Sequence, residues 1–240
     1  MLNGSRYLFV FALVLLSAYT AFAQALQTVY DGRVEPNPHR PSHEVLQILR
    51  RYALSGARQA WRNDKYCTEG FEAIDVANGS FTKANSSQNA ILYRYCVKGQ
   101  DIGNNGIAII KNQRVVAHVV FNSGEDYSIQ ALSDINGNGL SEIVIGDGSS
   151  HQGYSASLAT VIEISSSGVD NLGTADVFQD DCGANPDRCE TIAYKVLVKT
   201  GTTPIFYRET YKKAGNRWIK SGVAVRYTLR KNESKFRQLN

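Results

Sequence analysis

The stretch Val223-Ala224-Val225-Arg226-Tyr227-Thr228-Leu229-Arg230 sets Val223, Val225, Tyr227 and Leu229 against Ala224, Arg226, Thr228 and Arg230 in strict alternation. A side-chain period of two belongs to a β-strand with one dry and one wet face. The alternation is part of a longer strand candidate, Arg217 to Leu229, and similar short segments recur throughout the chain. Going backwards they are Ile205 to Lys212, Ile192 to Lys199, Leu158 to Ile164, Glu142 to Ile145 and Tyr127 to Leu132. Val115 to Phe121 and Ile107 to Ile110 flank Lys111-Asn112-Gln113, and Ile91 to Val97 is rich in aromatic and β-branched residues. Phe71 to Ala77 and Phe81 to Lys83 flank Asn78-Gly79, a dipeptide that favours tight hairpins.

Strands so closely spaced, with short polar turns and no alternation with helices, predict a mainly β fold of antiparallel sheets. One helix is expected. After Pro36, Pro38 and Pro41, Ser42 is a natural N-cap, and Val45, Ile48, Leu49 and Tyr52 follow at helical spacing, with Ala53, Ala57 and Trp61 extending the stripe past Gly56. Its apolar stripe should pack on the sheet.

The N-terminus carries Arg6, an apolar run from Tyr7 to Leu16 and Ala21-Phe22-Ala23 before Gln24. This is the layout of a secretory signal peptide cleaved after Ala23. Its apolar core falls short of the roughly 20 residues that span a bilayer, and no later stretch approaches that length. The predicted organisation is therefore a signal peptide over 1–23, an extended lead-in over 24–41, one β-rich domain with an N-terminal helix over 42–231 and a frayed tail over 232–240. An exported location, periplasmic or extracellular, follows.

Export bears on the cysteines. Cys67, Cys96, Cys182 and Cys189 make an even set, which in an oxidising compartment favours two disulfides. Three pairings are possible, and the nearest-neighbour one is favoured because Cys182 to Cys189 encloses a turn-rich loop. Rings closed that way would stabilise the fold by roughly 3.6 kcal/mol for Cys67 with Cys96 and roughly 2.5 kcal/mol for Cys182 with Cys189. Neither pair has the two-residue spacing of a zinc knuckle.

Net charge is only +4, but it is unevenly spread. Between Asn122 and Glu190 twelve carboxylates face the single base Arg188, whereas from Thr191 onwards twelve bases face Glu209 and Glu233. The two regions can attract one another within the fold. The basic C-terminal section also suits a protein partner or an anionic component of the cell envelope. Nothing in the sequence calls for nucleic acid.

The richest chemistry lies in Asp134-Ile135-Asn136-Gly137-Asn138-Gly139-Leu140-Ser141-Glu142. Side-chain oxygens fall at alternate positions and a carboxylate closes the run, which is how a short loop surrounds a hard cation. Asn-Gly pairs also suit a metal-free turn, but a turn has no use for both Asp134 and Glu142. Followed by Ile143-Val144-Ile145-Gly146, the run resembles the FG-GAP or VCBS type of calcium-binding repeat, known from the β-propeller of integrin α subunits. The resemblance covers at most Tyr127 to Ile164. It implies Ca2+ held by Asp134, Asn136, Asn138, the Leu140 carbonyl and Glu142, and a loop joining two strands of a propeller blade. Asn replaces the family's usual Asp at the third and fifth positions, Glu replaces it at the ninth, and the Phe-Gly and Gly-Ala-Pro signatures are missing. No second copy of the loop occurs. A degenerate propeller and an open sheet carrying one such loop are both compatible with the sequence. With two charged ligands, the expected dissociation constant is on the order of 0.1–1 mM.

No catalytic residues are identified. His39, His43, His118 and His151 lack metalloprotease spacing, Pro41 breaks any helical face between His39 and His43, and no nucleophile elbow or phosphate loop is present. His118 reads as an ordinary sheet residue. The polar segment Asp147 to Ser155 could present His151 and Tyr154 to a ligand, the basis of an alternative reading as a secreted hydrolase. A metal-free structural or inhibitor-like envelope protein is the other alternative. The reading favoured is a non-catalytic, calcium-binding interaction module.

Overall fold

The computed structural model describes residues 26–65, 67–98, 102–231 and 236–239. The signal-peptide reading of 1–23 lies outside the described residues. Among the described residues thirteen strands form two antiparallel sheets, and a single long helix, α1 (His43–Trp61), packs on the smaller one. In the five-stranded sheet the order is β13 (Arg237–Leu239), β5 (Arg114–Ser123), β4 (Ile102–Lys111), β3 (Gln88–Lys98), β2 (Thr68–Gly79). The larger sheet runs β12 (Arg217–Tyr227), β11 (Ile205–Ala214), β10 (Thr191–Lys199), β9 (Gly168–Asp180), β8 (Tyr154–Ser165), β7 (Glu142–His151), β6 (Glu125–Leu132). Its eighth strand, β1 (Gln27–Asp31), pairs with β10, and the sheet curls into a half-barrel.

Three apolar clusters hold these layers together. Phe81, Leu92, Ile107, Val119, Phe121, Ile143 and Ile162 fill the space between the sheets. Val29, Ile135, Val144, Val161, Val177 and Val196 fill the curl of the larger sheet. Leu49, Ala53 and Ala57 of α1 lie on Ile91, Tyr93 and Ala108 of the smaller one. Both faces of β7 and β8 are thereby covered, which explains why their sequences are apolar runs instead of clean alternations.

Of the two architectures compatible with the sequence, the open sheet forms: the strands resembling a blade, β6 to β8, continue into β9 and beyond. Ser42 caps α1 as expected, its hydroxyl accepting from Val45 N–H at 3.4 Å. The buried stripe is narrower than the spacing suggests. Tyr52 is exposed, and Gly56 lets the helix approach His118 and Leu239, either of which a Cβ would crowd.

Several expectations need correction. Asn78-Gly79 does not turn a hairpin; both residues continue β2, opposite Asn89 and Gln88, and the chain returns through residues 80–87. Phe81 is fully buried instead of lying in a strand, and its loop is closed by Gln88, whose side chain bonds Thr82 N–H at 2.9 Å and Thr82 Oγ1 at 2.7 Å. The lead-in contains β1, and the tail contains β13, paired with His118, Val119 and Val120. Strand β9 escapes a reading of the sequence, because Gly, Asn and Asp interrupt its apolar positions. Strand β12 ends at Tyr227, short of the expected Leu229, and its alternating residues do not make a dry face: Val223 is 80% and Val225 51% exposed, while Ala224 between them is half-buried.

Both nearest-neighbour disulfides form, Cys67 with Cys96 and Cys182 with Cys189. Among the described residues no helix is long and apolar enough to cross a membrane.

Candidate functional site

The oxygen-rich loop joins β6 to β7 and is fixed at several points before any ligand is considered. Ile135 is buried within the curl of the larger sheet; its N–H bonds Glu142 Oε2 at 3.1 Å and its carbonyl accepts from Gly201 N–H at 2.9 Å. Ser141 ties the loop to residues 80–87, its N–H donating to the Ser80 carbonyl at 2.9 Å and its hydroxyl accepting from Ser80 N–H at 3.1 Å. Gly139 lies so close to Ala84 that a Cβ there would sit 2.9 Å from the alanine methyl.

Within this frame the backbone winds around Asp134. One carboxylate oxygen accepts from Gly137 N–H at 2.6 Å and Asn138 N–H at 3.1 Å, and the other accepts from Gly139 N–H at 2.7 Å. Gly137 and Gly139, at φ 82° and 85°, supply the left-handed backbone that lets three N–H groups converge. Asn136 Oδ1 accepts from Asn138 N–H at 3.1 Å, and Asn138 Oδ1 from Leu140 N–H at 2.8 Å. Asp134, Asn136 and Asn138 thus each curl a side-chain oxygen back onto the backbone of the loop.

Glu142 is fully buried, and its Oε1 meets no hydrogen-bond partner. Desolvation pushes its carboxyl up to about 7, and the negative charges of Glu163 and Asp134 add to the rise. Of the two carboxylates proposed as ligands from sequence, Glu142 thus feels the charge of Asp134. A buried carboxylate oxygen with no donor is costly unless a proton or a cation meets it. Hard oxygen donors with this charge suit calcium, which Asp134, Asn136, Asn138, Glu142 and the Leu140 carbonyl would hold.

The sequence reading missed Glu163. On β8, its Oε2 accepts from Asn136 Nδ2 at 2.8 Å and from Asn138 Nδ2 at 2.7 Å. The available signal was a lone carboxylate inside the apolar run Val161-Ile162-Glu163-Ile164. What the sequence could not show is that β8 pairs with the strand leaving the loop.

The segment of the alternative reading has a different local structure from the one expected. Asp147 to Ser155 is no loop but the β7–β8 hairpin, turned at Gln152-Gly153 with both residues at positive φ. His151 and Tyr154 stand exposed at its tip, where the Tyr154 hydroxyl accepts from Asn185 Nδ2 at 3.2 Å. His118 is buried, one ring nitrogen against the Tyr93 hydroxyl; burial holds its imidazole down to about 4 and pushes the Tyr93 phenol up. A cavity of 610 Å³ opens elsewhere, between Tyr30, Tyr127, Phe178 and Trp218, and neither His118 nor His151 lines it.

No family model matches the chain, and neither a curated protein nor a solved structure does.

Proposed function

We propose that the chain is an exported, non-catalytic interaction module whose β6–β7 loop binds one calcium ion. The observation that carries this reading is the buried Glu142 oxygen without a donor, adjacent to a loop already wound around Asp134. Two disulfides and the signal-peptide pattern of residues 1–23 support an oxidising, extracytoplasmic setting.

The interaction surface is the open edge of the larger sheet. Among the described residues strand β12 has no neighbour on its outer edge, with Ile219, Val223 and Val225 exposed and Arg217 and Arg226 along it. Such an edge accepts an extended segment by strand addition, and its charge favours an acidic one. Calcium holds the opposite half of the same sheet, where β6 and β7 enclose the loop.

Calcium added to the purified protein at millimolar concentration should raise the melting temperature, and Asp134→Ala should remove the response. A melting temperature indifferent to calcium refutes the metal part of the reading.

A further inference from the structure

We propose that the open end of the larger sheet's curl is a carbohydrate site, a cleft that takes a short neutral oligosaccharide against the rings of Tyr127, Phe178 and Trp218. It lies at the far end of β7 from the oxygen-rich loop and is independent of the calcium reading. The cleft follows from side-chain size along the sheet. Val144 lies opposite Val161, then Gly146 opposite Ala159 and Gly148 opposite Ser157, so the inward positions of β7 and β8 shrink towards their hairpin. A curled sheet with small inward residues at one end leaves room there for a small ligand. The Tyr127 ring takes part of that room, 3.2 Å from where a Cβ on Gly146 would stand and 3.0 Å from one on Gly148. Phe178, opposite Ser157 across the β8–β9 ladder, and Trp218 of β12 complete the aromatic lining of the 610 Å³ cavity.

One wall is the segment that follows β1, and it is fixed in advance. Gly32 donates its N–H to the Tyr194 carbonyl at 3.0 Å and lies so close to β9 that a Cβ would meet the Val177 carbonyl oxygen at 1.8 Å. Further on, His39 N–H donates to Asp75 Oδ1 at 2.6 Å, and Pro36 and Pro38 stiffen the span between the two anchors. A wall already rigid spares the ordering cost of closing on a ligand. Charge then selects the ligand. Arg33 is neutralised by Asp31 at 2.5 Å, and its guanidinium lies 3.8 Å from the centroid of the Tyr211 ring. Glu35 and Lys213, exposed at the mouth, carry opposite charges, so the cleft offers no net charge to an ion. A wholly apolar ligand would cover these groups without giving them partners. A sugar suits both kinds of wall: the C–H face of a pyranose lies flat on an aromatic ring, while its hydroxyls donate to and accept from the charged groups and the Ser157 hydroxyl.

The test is calorimetric titration and saturation-transfer NMR of the purified chain with cellobiose, maltose, lactose and N,N′-diacetylchitobiose, alongside laurate as an apolar anion. At least one disaccharide should bind with a dissociation constant on the order of 1 mM. Trp218→Ala removes one ring of the cleft and should weaken that binding about tenfold or more, whereas Trp218→Phe, which keeps a ring, should lose less. Ser157→Phe, which fills the cleft, should abolish it. Binding should also quench tryptophan emission, and the quench should vanish in Trp218→Phe, because Trp61 lies at the end of α1 on the other sheet. Thermal melts verify that each variant is folded; Trp218 is half-buried on the edge strand, so its replacement leaves the core intact and decides the matter even if Ser157→Phe does not fold. If no disaccharide binds at about ten times the expected dissociation constant, if laurate alone binds, or if Trp218→Ala binds like wild type, the cleft is no carbohydrate site. None of these results touches the calcium response, which depends on the other end of β7.

Discussion

Removing the Asp134 side chain tests whether the loop is built as described, independently of any metal. Asp134 accepts hydrogen bonds from Gly137, Asn138 and Gly139; Asn138 N–H also reaches Asn136 Oδ1, so removing the carboxylate leaves Gly137 and Gly139 without their acceptor. At about 1 kcal/mol net for each bond in this partly exposed setting, Asp134→Ala should destabilise the chelator-treated protein by about 2 kcal/mol. For a domain of this size that lowers the melting temperature by roughly 4–8 °C. Asp134→Asn keeps one acceptor oxygen, so Gly137 and Asn138 stay bonded and only Gly139 loses its partner, at a cost of about 1 kcal/mol. Urea midpoints in chelator should therefore fall in the order wild type, Asp134→Asn, Asp134→Ala. Equal midpoints for wild type and Asp134→Ala would refute the claim that this carboxylate organises the loop.

Other perturbations separate the remaining arguments. Glu142→Gln preserves the acceptor for Ile135 and removes a buried charge, so it should stabilise the calcium-free protein at neutral pH by on the order of 1–3 kcal/mol while abolishing the calcium response in thermal melts. His118 is held neutral in the fold down to about pH 4, whereas in the unfolded chain it takes up a proton near pH 6.5; its contribution to stability should therefore fall by about 3 kcal/mol as the pH drops from about 6.5 to 4, against the opposite slope from Glu142, whose raised carboxyl takes up its proton in the fold first. Urea titrations should show this fall in the difference between wild type and His118→Gln, from which the Glu142 contribution cancels. Gly106→Ala would place a methyl 2.3 Å from the fully buried Tyr93 ring, and should destabilise by about 2 kcal/mol or more in the same assay. Val223→Ala should change stability by less than about 0.5 kcal/mol, against about 2–5 kcal/mol for Ile143→Ala, since one side chain stands in solvent and the other between the sheets.

Local chemistry explains which expectations were met. The Ser42 cap, the Asn112-Gln113 turn, the two disulfide loops and the winding of Asp134 to Gly139 all depend on residues within a few positions of each other, or within one closed loop, and all are readable in the amino-acid order. The failures share the opposite property. Asn78-Gly79 suits a turn, yet burial of Phe81 and the anchoring of its loop by Gln88 override the preference of the dipeptide. The hairpin ending in His151 and Tyr154 looks like a loop because polar residues dominate where its strands run out past the core.

Amino-acid order alone makes the chain β-rich, gives it one capped helix and bends it so that Asp134, Asn136 and Asn138 curl back onto their own loop, because strand period, capping and turn chemistry act between near neighbours. Which face of an alternating strand is buried was left to three-dimensional packing, for on the edge strand β12 Val223 stays 80% exposed among the described residues. Packing also brought Glu163 of β8 onto the amides of Asn136 and Asn138, a contact that depends on the pairing of β7 with β8. Alternation tells which residues share a face, but what that face meets is settled by the partner strand and the layer above it.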